Sequence, residues 1–306
     1  MSEIRFDGRV AIVTGAGLGL GRCHALALAQ RGAKVVVNDL GGSVDGTGSG
    51  SAAEDVADEI REAGGEAISH TANVTKADEV ADMVRQAMDK WGRVDVLVNN
   101  AGILRDKSFA KMELADFEAV MQVHLTGSVV CTKAVWDIMR EQGYGRVAMT
   151  TSSSGLYGNF GQSNYGAAKM ALIGFMNTLH LEGQKYDIRV SALAPTAATR
   201  MTENLLPPAA LDLLSPEAVS AGLVWLVSGD APSRTILCAG AGGYAATKIY
   251  ETDGIYLPPD QQTPENVAAN LDKVLDAADQ RELQSGGEQS VKFLTKAATH
   301  LGVSLR

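Results

Sequence analysis

Arg9-Val10-Ala11-Ile12-Val13-Thr14-Gly15-Ala16-Gly17-Leu18-Gly19-Leu20-Gly21 is the stretch from which the fold can be read. Residues 9–14 are a short apolar run, the look of a strand buried in a parallel sheet. They pass directly into a turn with glycine at 15, 17, 19 and 21. A helical pattern then runs through Gln30, and Arg31-Gly32-Ala33 closes it with glycine as the stop signal. Lys34-Val35-Val36-Val37-Asn38 follows as a second strand and delivers Asp39 at its end. Strand, glycine turn, helix, strand is a βαβ unit, whose crossover is right-handed.

The alternation continues outward from that unit. Helices are expected over residues 53–63, 76–91, 114–139 and 165–186, the third as one long rod. Strands are expected over 67–70, 94–98, 145–151, 189–194 and 236–239. Ser215-Pro216-Glu217 supplies an N-cap, a first-position proline and a first-turn acid for a helix through Val227. The sum is an α/β fold, a doubly wound parallel sheet of about seven strands with helices on both faces and a ligand crevice at the strand carboxyl ends. This domain takes residues 1–244. Residues 245–306 form a helical C-terminal extension, with a capped helix opening at Thr263-Pro264-Glu265 and an amphipathic end over 291–301. The extension is too small for a core of its own and is expected to pack on the main domain or on a partner subunit. Residues 41–50 are rich in glycine and serine and read as a mobile loop, either an idle surface loop or a cover for the crevice.

Composition narrows the function. The chain has 306 residues, 45% hydrophobic and 21% charged, within ordinary globular usage. No apolar run approaches the roughly 20 residues that span a bilayer. The first residues have no signal-peptide core and the last are not a peroxisomal Ser-Lys-Leu signal, so a cytoplasmic location is expected. Cys23, Cys131 and Cys238 are far apart, which offers neither a disulfide framework nor a metal-binding spacing. A net charge of -9 argues against nucleic acid as a partner and leaves a small-molecule substrate.

The chemistry-bearing residues fall where the crevice should be. Gly15, Gly17, Gly19 and Gly21 permit a tight turn and let backbone N–H groups and a helix N-terminus meet a pyrophosphate. Asp39 is placed to bind both hydroxyls of an adenosine ribose and to repel a 2′-phosphate, which favours NAD over NADP. Asn99-Asn100-Ala101-Gly102 caps the fourth strand, where a side-chain amide can hold the turn and meet the ribose. Ser152 ends an apolar run, and Tyr165 and Lys169 are spaced to share one helix face. A phenol near a fixed ammonium loses its proton more readily, so Tyr165 is the candidate acid/base.

Together, Thr14-Gly15-x-x-x-Gly19-x-Gly21, Asn99-Asn100-Ala101-Gly102, Ser152 and Tyr165-x-x-x-Lys169 resemble the short-chain dehydrogenase/reductase family over about the first 244 residues. The resemblance implies a Rossmann-type fold and NAD-dependent hydride transfer at a CH–OH carbon. It implies Ser152 as the hydroxyl that polarises the substrate oxygen, Tyr165 as the acid/base, and Lys169 as the group that depresses the tyrosine and binds the nicotinamide ribose. It also extends the cofactor-binding set to Leu18, Leu20, Asn73, Val74, Pro195, Ala197 and Thr199. Many members carry an asparagine of a proton relay where this chain has His124. Core packing and a place in the relay are both open to that histidine.

A narrower resemblance rests on Val37-Asn38-Asp39-Leu40-Gly41-Gly42, Ile103-Leu104-Arg105-Asp106 and Gly155-Leu156-Tyr157-Gly158-Asn159-Phe160-Gly161-Gln162. These are similar to the (3R)-hydroxyacyl-CoA dehydrogenase branch of the family, found in peroxisomal multifunctional enzymes and bacterial stand-alone relatives. An acyl-CoA or steroid-like substrate and a homodimer or homotetramer follow as implications. Arg105, Lys107 and Lys111 could meet CoA phosphates or be solvated surface charge. A hydroxysteroid dehydrogenase acting on a ring alcohol is the enzymatic alternative, and a non-catalytic dinucleotide sensor the alternative of another class.

Overall fold

The structure, a computed structural model, describes residues 3–42, 45, 50–198 and 207–305. Thr199 and most of the 41–50 segment lie outside the described residues. Eight strands form one sheet: β1 Val10–Thr14, β2 Lys34–Asn38, β3 Ala67–His70, β4 Val96–Asn99, β5 Gly145–Thr150, β6 Ile188–Thr196, β7 Ile236–Gly240 and β8 Gly243–Thr247. Their order is β3-β2-β1-β4-β5-β6-β7-β8. The first seven pair in parallel, with Ile12 opposite Val36 on one side and Leu97 on the other. Strand order reverses between β2 and β4 around β1, which opens a crevice at their carboxyl ends.

β8 is an addition to the expected seven strands. Ala241 and Gly242, both at positive φ, turn the chain after β7 in two residues, which makes β8 an antiparallel hairpin arm. The sheet is therefore mixed at that edge.

The parallel strands are buried on both faces, and side-chain alternation divides them between two cores. Ala11, Val13, Val35 and Val37 point to the face covered by α1 Gly19–Ala29, α2 Ala52–Glu62 and α9 Pro216–Leu226. Val10, Ile12, Val36 and Leu97 point to the face covered by α3 Ala77–Trp91, α5 Gly127–Gln142 and α7 Ser163–Gly183. Burial of each such aliphatic side chain contributes about 1.5–3 kcal/mol. At the amino ends of β1 and β4 the buried Asp95 carboxylate accepts from Arg9 at 2.7 Å, Arg93 at 2.6 Å and the Val10 N–H at 2.9 Å.

The rod expected over 114–139 is not one regular helix. α4 Leu114–Met121 passes through a π turn, Gln122–Thr126, into α5, which runs on to Gln142. The π turn is one residue wider than the α repeat, and His124 sits at its centre. The short helices α6 Ser153–Tyr157 and α8 Pro208–Leu211 complete this part of the chain.

Contacts divide the chain into compact units of Met1–Ala246 and Thr247–Arg306. The second unit holds α10 Pro264–Ala269, α11 Leu271–Val274 and α12 Gly286–Leu301. Thr263 caps α10 by accepting from the Asn266 N–H at 3.2 Å. Within the same unit, buried Lys292 on α12 pairs with Glu251 and donates to the Thr252 carbonyl at 2.8 Å.

Candidate active site

A cleft of 430 Å³ opens at the carboxyl ends of the central strands. Its near wall is the glycine turn, with Gly15, Leu18, Gly19 and Leu20. Gly15 has φ of 63°, and a Cβ there would meet the Ala101 Cα at 2.7 Å, so the β1 and β4 turns close on one another through glycine. Helix α1 begins behind Leu18, which makes no side-chain cap bond, and carries no acid in its first turn. Its leading N–H groups are therefore left for a ligand, and the positive helix end favours an anion.

Asp39 lines the same cleft and accepts from the Gly17 N–H at 2.8 Å and the Gly41 N–H at 2.7 Å. A carboxylate has about four acceptor sites, so capacity remains for ribose hydroxyls. Gly17 itself does not line the cleft; a Cβ there would meet the Asp39 carboxyl carbon at 2.9 Å, and its role is to let that carboxylate dock on the turn. Asn73 and Val74 also line the wall, Asn73 folding back to accept from the Thr75 N–H at 3.0 Å.

The two asparagines after β4 separate. Asn100 lines the cleft with Ala101 and Gly102, and its amide donates to the Thr14 and Gly15 carbonyls at 3.0 and 2.9 Å. Asn99 is turned into the core, where it donates to Thr132 at 3.0 Å and Met149 at 3.4 Å. Asn99 thus braces β4 against α5 and β5, contrary to the expectation that it meets the ribose. Pro195 lines the cleft, whereas Ala197 is packed in the core and does not.

At the far end stand Tyr165 and Lys169, one turn apart on α7. Ser152 caps α6, its Oγ accepting from the Ser154 N–H at 3.1 Å. Lys169 is buried; its Nζ donates to the Thr150 carbonyl at 2.6 Å and lies 5.4 Å from the centre of the Tyr165 ring. Burial pulls Lys169 down to about 7. Tyr165 runs opposite to the expected depression. Burial raises it, an interaction with Ser152 works the other way, and the charge of Asp106 adds to the rise. Burial, Ser152 and Asp106 set the Tyr165 phenol, and the burial effect is the largest of them.

His124 is buried and edge-on to Tyr165, with ring centres 5.2 Å apart. Its Nε2 lies 3.1 Å from the Ile103 nitrogen and 2.8 Å from the Ile103 oxygen. Burial, then the charge of Lys169, hold the imidazole well below its ordinary value, so it is neutral. His124 Nδ1 and Thr150 Oγ1 are buried without a partner, and both residues line the cleft. Two orphaned polar atoms beside a lysine, at one end of a cleft that starts at an uncapped helix, fit a polar dinucleotide.

The structure adds Thr75, Ile103, Gln122 and Thr150 to the lining. Gln122 reaches the cleft through the π turn, which leaves no mark in the sequence, and Thr150 is the last residue of β5, whose end the apolar run placed one residue further on. Arg105 lines the cleft too, but it pairs with Asp116 at 3.2 Å, and Lys107 reaches the same carboxylate at 3.4 Å. No helix among the described residues is long and apolar enough to cross a membrane.

The chain belongs to the short chain dehydrogenase family, whose pattern matches residues 9–209. It is an oxidoreductase acting on a CH–OH group with a nicotinamide dinucleotide. It is 47% identical over 279 residues to peroxisomal multifunctional enzyme type 2 of Mus musculus, a match covering 90% of this chain and 38% of that protein. The solved full-length multifunctional enzyme type 2 of Drosophila melanogaster superposes with a TM-score of 0.82 and 38% identity, over 97% of this chain and 51% of that one. A 7α-hydroxysteroid dehydrogenase solved with NADH and 7-oxo glycochenodeoxycholic acid gives a TM-score of 0.70 at 30% identity, over 78% of this chain and 95% of that one. The chain therefore spans about 38% and 51% of the two multifunctional relatives. The expected resemblance to their dehydrogenase part is met.

Proposed function

We propose that the protein reversibly oxidises a (3R)-hydroxyacyl-CoA to the 3-oxoacyl-CoA with NAD, in fatty-acyl or steroid side-chain β-oxidation. The observation that carries the reading is the single cleft with the Asp39 carboxylate at one end and Tyr165 and Lys169 at the other. Tyr165 takes the proton of the substrate hydroxyl, and Ser152 donates a hydrogen bond to the same oxygen. NAD, when bound, supplies the acceptor for the hydride. The leading N–H groups of α1 would hold its pyrophosphate, Asp39 its adenosine ribose, and Lys169 its nicotinamide ribose. Lys169 also receives the proton from Tyr165, with the orphaned His124 Nδ1 as the next polar atom of a relay.

The acyl-CoA substrate is supported by the similarity to the multifunctional enzymes, and the location proposed for this chain is the cytoplasm. A homodimer or homotetramer is proposed on α5 and α7, where Val129, Met170 and Leu181 are exposed. Light scattering of the purified chain tests that part, and a monomer at micromolar concentration would refute it.

Initial rates with medium-chain, long-chain and steroid side-chain (3R)-hydroxyacyl-CoA esters, each with NAD and NADP, test the reaction. A strong NADP preference would overturn the cofactor assignment. Turnover of ring alcohols without turnover of any CoA ester would favour the hydroxysteroid alternative, which the bile-acid-bound neighbour supports. Dinucleotide binding with no alcohol oxidised would leave the sensor.

A further inference from the structure

Gln162 is buried just before the tyrosine helix and does not line the cleft. Both ends of its amide are nonetheless engaged. Nε2 donates to the Asp106 carboxylate at 2.6 Å, and Oε1 accepts from the Ser154 hydroxyl at 2.7 Å and from the Asn159 amide at 3.1 Å. A carboxylate can only accept, so Asp106 fixes which way the amide faces, and Ser154 must be the donor. Ser154 in turn gives its N–H to the Ser152 Oγ at 3.1 Å. With that lone pair occupied, the Ser152 hydroxyl keeps its hydrogen for the Tyr165 oxygen, the interaction that works against the burial effect on the phenol, and for a substrate oxygen brought to the same place. The backbone follows the same seam. Lys107 N–H donates to the Gly161 carbonyl at 2.9 Å, and the Asn164 amide donates to the Arg105 carbonyl at 3.0 Å. Asn164 also accepts from the Tyr165 N–H at 2.7 Å.

We propose that Gln162 is a positioning residue for the dehydrogenase reaction, holding Ser152 and Tyr165 at working separation through Ser154, with Asp106 setting its orientation. The inference rests on the roles given to Ser152 and Tyr165 above. It predicts a dependence on donor and acceptor order and not on bulk alone. Gln162→Glu sets two carboxylates against each other, so kcat should fall about 100-fold while KM and dinucleotide affinity hold, as for a small misplacement of reacting groups. The double variant Gln162→Glu with Asp106→Asn restores a donor facing an acceptor and should recover most of kcat.

A second readout needs no substrate. The groups facing Tyr165 are Asp106 from the segment after β4, His124 from the π turn, Ser152 from the end of β5 and Lys169 from its own helix. The phenolate absorbance of the wild type, taken as a difference from Tyr165→Phe, should show a lower midpoint in Asp106→Asn. If the double variant folds with the wild-type melting temperature yet is as slow as Gln162→Glu, the proposal fails. It fails equally if Gln162→Ala keeps kcat within twofold. Should the wild type oxidise an alcohol that is not a CoA ester, the same comparison is made on that alcohol. Should it oxidise none, the acyl-CoA reading falls and the tyrosine titration decides: an unmoved midpoint overturns the Asp106 link.

Discussion

Tyr165 and Lys169 stand against each other in a way their spacing does not reveal. Burial raises the phenol and lowers the amine to about 7, so it disfavours the charged form of each. Tyr165→Phe should therefore lower kcat by about 100- to 10,000-fold and leave dinucleotide binding intact, measured by nucleotide fluorescence. Oxidation needs the phenolate, and with the phenol raised its kcat/KM should climb with pH above neutrality. A flat profile would count against Tyr165 as the base. Lys169 also has a stability signature. Its folded value is depressed from 10.5, so the unfolded chain binds more protons between about 7 and 10.5, and stability rises with pH across that window. Lys169→Met removes the buried amine. Its melting temperature should exceed the wild type's at neutral pH, by a margin that shrinks as pH approaches 10.5.

Elements place these residues, and here some features were legible and others were not. β2 falls on residues 34–38 as its apolar run indicated, because a strand buried on both faces shows its length as uninterrupted valines. The π turn left no such mark. One extra residue shifts the helix by less than the width of an apolar stripe, so His124 looked like part of a regular face. The outward face of Asn100 and inward face of Asn99 depend on where β4 ends, and sequence leaves that uncertain by a residue or more. β8 was missed because Gly243–Thr247 is nearly all exposed and carries little apolar signal. Gln162 had no periodicity to announce it. The β4 turn packs on the π turn through Gly102, where a Cβ would meet the His124 ring at 2.3 Å. Gly102→Ala should cost about 1–3 kcal/mol in urea unfolding and displace the imidazole. At the other end of the sheet, burial raises Asp95, but Arg93, the Val10 N–H and Arg9 outweigh it and hold the carboxyl below its usual range. The stability it contributes is present above the unfolded value and lost as pH falls through the folded one. Asp95→Asn should cost about 3 kcal/mol near neutrality, and the gap should begin to narrow near about pH 4 and close only below the depressed folded value.

For the molecule as a whole, every residue named in the cleft precedes Ala246, the last residue of the first compact unit. A chain ending there should keep its dinucleotide affinity in a fluorescence titration, and loss of binding would mean the second unit is needed to form the cleft. Asp39 has a consequence for how such a molecule can change. Its carboxylate receives Gly17 and Gly41 as well as lining the cleft, so the cofactor role proposed for it and the turn conformation are joined in one side chain. A lineage drifting toward a phosphorylated cofactor cannot lose that carboxylate without finding new acceptors for two backbone N–H groups. The two traits would be inherited as a pair, and a preference swap would demand concerted substitutions around the turn.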